Sequence, residues 1–428
     1  MKRKLVELRE YDVITNNRES YIDSGAVYLD KASFSQLENL ILTYNESNEA
    51  DAIDFLSISS KKNIGKIIRA KNYVGVLQLN NGVQLQILPK IHGVTQDDTK
   101  KTFLKMLKTL RDFPSKTFNE SNLKTDKMPI FEIFIRLYIH ELQRLVKRGL
   151  KSSYYEVEDN LKVFKGKMNF SQQTKHNTVH KERFYVQYEE FGLNQPENRL
   201  IKSTLLKLTK ESESTDNIKD LHKLLMNFEL VDPSPNVEED FAQVKIDRNS
   251  KDYESVMNWS KIFLRNQSFT TFSGTSFVKA LLFPMDRVFE AFVGRNLRRL
   301  IQQNGWSISL QDKKYHLFEK QFALRPDIVL RNELEQRTVI IDTKWKLLKN
   351  SPRSNFGVSQ ADMYQMYAYA KKYGTNEIWL IYPMNDDFKG RNQEICFTSD
   401  DGVRVKVFFV DCYQIELSLN DFIVECEF

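Results

Sequence analysis

Two short runs near residue 80 give the clearest local pattern. Residues 73–79 (YVGVLQL) and 83–88 (VQLQIL) alternate or are β-branched, with Asn80-Asn81-Gly82 between them. Asn-Gly between such runs predicts a β-hairpin, and Pro89 ends its second strand. Residues 34–44 before it have helical spacing. From about 97 the apolar positions recur every three or four residues, which predicts helices. Residues 102–111 form a short one, stopped near Pro114. Residues 130–150 form a long one, with Ile130, Ile133, Phe134, Leu137, Tyr138, Leu142 and Leu145 on one face and Gly149 as a C-cap. An extended stretch over 154–170, a polar loop through Lys175–His180 and a strand over 184–191 follow. Helices are predicted at 198–210 and 218–230, and residues 232–236 (DPSPN) read as a turn.

The last third changes pattern again. A helix over 285–302 has Phe289, Phe292, Val293, Leu297 and Leu300 as its apolar stripe. Strands are expected at 306–310, 322–330 and 338–345, a helix at 361–373 and a strand at 377–382. Two closing strands are expected at 403–410 and 414–419. Helix, hairpin strands, helix, strand is an α/β order. The predicted organisation is a mixed α/β region with the hairpin over 1–95, a mainly helical region over 96–270 and an α/β domain over 271–428.

Composition narrows the class. Among 428 residues, 41% are hydrophobic and 28% charged, as in globular proteins. No apolar run approaches the ~20 residues of a spanning helix, so no membrane association is expected. The start MKRKLVELREYD is charged where a signal peptide is apolar. The three cysteines, Cys396, Cys412 and Cys426, are an odd and scattered set, which suits a reducing cytoplasm. Net charge is +6, weak grounds for nucleic-acid binding. Residues 101–180 carry 16 Lys/Arg against 8 Asp/Glu, an excess of 8. That segment fits either phosphate contact or a solvated helix face.

Several chemistries are excluded. Gly65-Lys66 and Gly166-Lys167 precede Ile67 and Met168, not Ser or Thr, so no phosphate loop is present and the chain is expected to bind no nucleotide itself. His140-Glu141 begins like a zinc-peptidase helix, but Arg144 stands where the second histidine is needed. The six histidines do not cluster, and no Gly-x-Ser-x-Gly elbow occurs.

Carboxylate chemistry remains. Arg325-Pro326-Asp327 opens one strand, and Asp342-Thr343-Lys344 closes the next. Strand residues i and i+2 share a face, so Asp342 and Lys344 point the same way, and a hairpin brings Asp327 towards Asp342. Two carboxylates and an ammonium beside an apolar sheet suit Mg²⁺, which takes one or two carboxylates plus substrate phosphate. Glu290, on the preceding helix, is a third candidate ligand. Gln365 and Tyr369, four apart on the later helix, share a face from which they could support the site or touch phosphate. An isolated Asp-x-Lys is most often a salt-bridged strand surface. The ordered set Glu290, Asp327, Asp342, Lys344, Gln365 and Tyr369 is what points to a Mg²⁺-dependent nuclease.

These residues resemble the PD-(D/E)XK nuclease superfamily, with Pro326-Asp327 and Asp342-Thr343-Lys344 as its signature. More of the chain, from about 70 to 385, is similar to the McrC family, the nuclease subunits of McrBC-type (5-methylcytosine-specific) restriction systems. The resemblance is carried by Asn72-Tyr73-Val74-Gly75-Val76, Ile87-Leu88-Pro89-Lys90-Ile91, Arg148-Gly149-Leu150, Lys165-Gly166-Lys167-Met168-Asn169-Phe170, Glu189-Glu190-Phe191 and Asn198-Arg199. It implies a C-terminal PD-(D/E)XK restriction-endonuclease-like domain cutting double-stranded DNA with Mg²⁺. It also implies an McrB-like AAA+ GTPase partner, assembled as a hexameric ring, into which the N-terminal part docks to stimulate GTP hydrolysis. Alternatives are a restriction subunit of a system that reads a specific unmodified sequence, a stand-alone repair or mobile-element nuclease, a non-enzymatic regulator on the same fold, and a carboxylate-metal phosphatase.

Overall fold

The computed structural model describes residues 4–18, 25–46, 55–62, 64–91, 95–111, 113–114, 128–248, 250–265, 278–301, 305–389 and 394–427. The chain forms two compact units. One comprises Met1–Lys116, Glu120–Ile130 and Ser268–Phe428; the other comprises Thr117–Asn119 and Phe131–Gln267. These boundaries differ from the three-part division read along the sequence, because a strand beyond residue 270 pairs back into the N-terminal sheet. Among the described residues no helix is long and apolar enough to cross a membrane.

The first unit begins with strands β1 (Lys4–Arg9), β2 (Val13–Thr15) and β3 (Val27–Tyr28), helix α1 (Lys31–Glu46), and strands β4 (Leu56–Lys61) and β5 (Gly65–Ala70). The predicted hairpin follows as β6 (Tyr73–Leu79) and β7 (Val83–Leu88). At its turn Gly82 has φ +84°, donates to the Leu79 carbonyl at 3.1 Å, and leaves Val83 N to bond the Asn81 side chain. Helix α2 (Gln96–Lys108) comes next, capped by the Thr95 hydroxyl on Asp98 N. β1 runs parallel to β7, and β2, β3, β4 and β5 form a separate sheet. A shared core with Phe34, Leu37, Ile68, Leu77, Leu85 and Leu282 lies beneath α1.

The second unit contains helices α3 (Ile130–Arg148), α4 (Phe170–His176), α5 (Pro196–Glu211), α6 (Thr215–Leu225), α7 (Val237–Gln243) and α8 (Tyr253–Arg265). A three-stranded sheet joins β8 (Ser153–Leu161), β9 (Lys167–Met168) and β10 (Phe184–Gly192). α3 is the long amphipathic helix expected at 130–150. Its apolar face carries Phe134 against Trp259, which stacks on Phe263 of α8. Buried Glu132 accepts from Ser212 Oγ, Glu213 N and Asn217 Nδ2, fixing the start of α6. The segment expected to be extended to residue 170 and then looped turns into α4 at Phe170, because Asn169 caps it by accepting from Gln172 N.

The first unit resumes with β11 (Val278–Pro284), unrecognised in the sequence, and α9 (Met285–Ile301). β11 lies antiparallel to β6, Leu282 opposite Gly75. A ribbon of β13 (His316–Phe318) and β14 (Gln321–Ala323) stands apart from a six-stranded sheet. That sheet contains β12 (Ser307–Leu310), β15 (Ile328–Asn332), β16 (Arg337–Thr343), β17 (Glu377–Pro383), β18 (Ile395–Thr398) and β19 (Arg404–Val410), in the order β12-β15-β16-β17-β19-β18. β16, β17 and β19 are mutually parallel, and the other pairings are antiparallel. Helix α10 (Gln360–Tyr373) makes the crossover from β16 to β17. It packs Met366, Tyr369, Ala370 and Tyr373 against Val329, Ile340, Ile378 and Leu380. The opposite face carries α9 and α11 (Ile415–Glu425), with Phe422 against Trp379 and Phe289 against Trp345. Mixed α/β architecture with several sheets is thus established.

Two expected strands differ. Residues 322–330 split between β14 and β15, because Pro326 has no N–H for a ladder and Phe322 sits at φ +56°. Residues 414–419 are helical within α11. The alternation Ile415, Leu417, Leu419 looked strand-like, but the buried positions are Ile415, Ser418, Leu419 and Phe422, a helical stripe.

Gly75 marks the closest approach in the N-terminal sheet. Its φ is +142°, and a Cβ there would lie 1.9 Å from the Leu281 carbonyl oxygen. Gly75→Ala is expected to cost at least about 2 kcal/mol through strain and overpacking. Urea unfolding of the variant beside the parent measures this; an unchanged midpoint refutes the close approach.

Candidate active site

The site lies where β15 begins and β16 ends. The last register pair is Ile328↔Ile341, so Asp327 and Asp342 stand one step beyond it at adjacent strand ends. Asp327 Oδ2 accepts from Thr343 N at 2.8 Å and Thr343 Oγ1 at 2.7 Å. These bonds tie the end of one strand to the end of its neighbour. Asp342 is only 2% exposed, on the same face as Ile340 and therefore towards α10.

Lys344 is held from three sides. Its backbone N donates to the Ile381 carbonyl at 2.9 Å, extending the β16–β17 pairing. Its Nζ lies 2.7 Å from Asp342 Oδ2 and 3.8 Å from Asp362 Oδ1. It also donates to Gln365 Oε1 at 3.2 Å, and Gln365 Nε2 donates to the Tyr369 hydroxyl at 2.7 Å. Tyr369 is buried, and burial pushes its phenol pKa upward. Asp342 Oδ2 is buried, and the Lys344 ammonium is the cation beside it.

Glu290 projects from α9. Its Oε1 accepts from Gln311 Nε2, and the same nitrogen is 3.5 Å from Asp327 Oδ1. Gln311 N also donates to the Asp327 carbonyl at 2.8 Å. Gln311 and Asp362 were not singled out in the sequence. Gln311 was findable: it follows the strand that pairs with β15, where Leu310 faces Ile328, and so stands beside Asp327. Asp362 sits two residues inside a capped helix, with Ser359 Oγ accepting from its N–H, and nothing in its local sequence marks it.

Crowded acids disfavour their own ionisation. Desolvation raises the Asp342 carboxyl to about 7, and the Asp327 charge adds to this. Desolvation raises Asp327 to about 6, with Glu290 adding to it. Glu290 is raised by burial and by Asp342. Lys344 opposes each shift, and its own pKa rises through Asp342 despite the contrary effect of desolvation. The site therefore has unmet demand for positive charge. Among the described residues no three His, Cys, Asp or Glu side chains already form a metal-holding cluster. Asp327 and Asp342, two carboxylates of raised pKa at adjacent strand ends, nevertheless offer the hard oxygen ligands that fit Mg²⁺, which completes its shell with water and phosphate.

A family model described as "McrBC 5-methylcytosine restriction system component" matches residues 68–383. The chain belongs to the McrBC restriction-component family. It is an McrC-type chain, the resemblance its motifs carried. No curated protein sequence matches it. A chain of the refined half-complex from a tetradecameric assembly of Thermococcus gammatolerans McrB AAA+ hexamers with bound McrC is 21% identical. That match covers 98% of this chain and 100% of that one, with TM-score 0.67, so the two share a fold. A chain of the T. gammatolerans McrBC complex determined by cryo-EM is 22% identical, over 69% of this chain and 88% of that one, with TM-score 0.45.

The site of this McrC-type chain also has a buried brace. Glu10 accepts Trp345 Nε1 on both carboxyl oxygens, at 2.9 and 3.0 Å, and Lys90 N on Oε2 at 3.0 Å. Trp345 follows Lys344 directly. Burial pushes the Glu10 carboxyl up to about 8, against the lowering effect of those two donors. A raised acid stabilises the fold fully below its unfolded pKa of 4.5, and that contribution is lost as pH rises through about 8. Melting temperature without divalent cation is therefore expected to fall between pH 5 and 9. Glu10→Gln should flatten that fall, whereas Glu10→Ala should lose about 1–3 kcal/mol for each donor left unpaired. A Glu10→Gln melting profile as steep as the parent's would refute the assignment.

Proposed function

We propose that this McrC-type chain is the Mg²⁺-dependent endonuclease subunit of a GTP-dependent, modification-dependent restriction complex. It cuts DNA when assembled with an McrB-like AAA+ GTPase, whose GTP hydrolysis it stimulates. Its C-terminal sheet is read as a PD-(D/E)XK nuclease core. The observation carrying this is the convergence of Asp327 and Asp342 on one face at paired strand ends, with Lys344 Nζ beside them. Family membership supports the restriction role, and the fold shared with a chain from an McrB–McrC assembly supports the partner.

Asp327 and Asp342 would hold Mg²⁺, with Glu290 reaching it directly or through water. When bound, the ion neutralises charge on the phosphoryl oxygens and polarises the attacking water. Thr343 fixes Asp327 through two hydrogen bonds, so that ligand loses little freedom on binding. Lys344 Nζ orients the water and stabilises negative charge developing on the phosphoryl oxygens. Gln365 holds Lys344, and Tyr369 in turn holds Gln365, so the ammonium is set before substrate arrives. Water attacks phosphorus and gives up a proton to solvent, the bond from phosphorus to the leaving oxygen breaks, and that oxygen takes a proton from solvent.

Lys344→Met is expected to slow cleavage by about 10²–10⁴-fold. Asp342→Asn should abolish it while leaving partner binding and GTPase stimulation intact, measured on the assembled complex with methylated duplex. Cleavage surviving Asp342→Asn would sink the nuclease reading. At limiting Mg²⁺, cleavage should rise between about pH 6 and 8, as acids raised to about 6 and 7 ionise and gain the metal. Saturating Mg²⁺ should move that rise to lower pH. A rise that stays fixed whatever the Mg²⁺ concentration would separate those acids from metal binding.

A further inference from the structure

A cleft of about 700 Å³ opens beside Lys344 and Asp362. Its walls include Tyr11, Lys90, Lys346, Lys349 and Ser359. Two different parts of the first unit build it. Tyr11 follows β1 and Lys90 follows β7, while Lys346 and Lys349 follow β16. Lys90, Lys346 and Lys349 are all exposed, and among the described residues none has a carboxylate within ion-pair distance. Lys346 Nζ donates to the Gly357 carbonyl at 2.6 Å, which steadies its stem and leaves further N–H groups for a ligand.

Two acids, Asp362 and Asp286, also line the cleft, against four lysines when Lys344 is included. Asp362 lies 3.8 Å from Lys344 Nζ, and Asp286 bonds the Asn72 side chain. Three ammonium groups outside any ion pair among the described residues thus line a groove that reaches Lys344, whose Nζ lies 2.7 Å from Asp342 Oδ2. Such a groove attracts a polyanion whose charges are spaced along a chain. Tyr11 stands at φ +64°, partly exposed, with a phenol that can donate to a phosphate oxygen. The brace described above serves this wall too: Glu10 accepts from Lys90 N and from the Trp345 indole, locking the two lysine-bearing segments to one another.

We propose that Lys90, Lys346 and Lys349 form a phosphate-backbone subsite of the cutting centre. It takes the stretch of duplex DNA flanking the scissile phosphate. This rests on the nuclease reading and deepens it, because a strand seated there enters the metal site past Lys344. The N-terminal sheet then supplies part of the DNA track.

The test is fluorescence anisotropy of the full chain with a labelled 30-base-pair duplex in EDTA, over a salt series. Lys90→Ala/Lys349→Ala is expected to weaken binding at least about tenfold near 0.15 M salt. It should lower the slope of log affinity against log salt by about 1–2, near 0.9 per lost phosphate contact. Lys66→Ala, which removes an exposed lysine paired with Glu38 elsewhere, serves as the charge control. Parent chain that fails to hold duplex even at low salt overturns the subsite. So does a double variant indistinguishable from Lys66→Ala. Polyglutamate competing as well as unlabelled duplex would assign the cleft to an acidic protein segment and also overturn it. Mg²⁺-dependent cutting by the assembled complex is scored separately. Its absence, with salt-dependent binding intact, defeats the nuclease reading and spares the DNA track.

Discussion

Carboxylates brought together away from water govern the organisation of the first unit. Asp327 and Asp342 stand at adjacent ends of an antiparallel strand pair; desolvation disfavours the ionisation of both, Asp327 adds to it at Asp342 and Glu290 adds to it at Asp327. Left alone, two such groups would favour protonation, neighbouring cations or solvent. The protein instead surrounds them with matched contacts. Thr343 donates twice to Asp327, Lys344 stands at Asp342, and Gln311 bridges Glu290 towards Asp327. The remaining excess of negative charge is what the proposed Mg²⁺ would offset.

Support for that arrangement extends well beyond the strands carrying it. β17 fixes the backbone of Lys344, and α10 fixes its side chain through Gln365. From the other direction Glu10, far away in sequence, fixes the neighbouring Trp345. The reach of this brace is physical: a buried indole N–H and a part-buried backbone amide both need acceptors, and one carboxyl serves both. β11 adds a second tie between the ends of the chain, lying against β6 with a glycine where backbones almost touch. The N-terminal sheets and the candidate site are thus parts of one compact unit.

Family membership and geometry support different parts of the functional reading. The family match speaks to a restriction-system component. The proposed chemistry rests on the placement of Asp327, Asp342, Lys344 and Glu290, and the lysine-lined cleft adds a route by which a polyanion would reach Lys344.

Local pattern in the sequence determined the hairpin at 73–88, the amphipathic helix after residue 130 and the paired strands around residues 328–343. Each rests on near-neighbour physics: turn geometry, helical spacing and alternation. The same local rule brought Asp342 and Lys344 to one face, and the short connection brought Asp327 opposite. The strand reading of residues 414–419 failed for a related reason, since a short alternating run fits two periods and only its packing partner, Trp379 against Phe422, selects the helix. Gln311, Asp362, Glu10 and β11 were decided by tertiary structure alone. Their significance lies in what they touch across 16 to 335 residues of chain, and no local propensity encodes a contact whose partner is chosen only when the chain has folded.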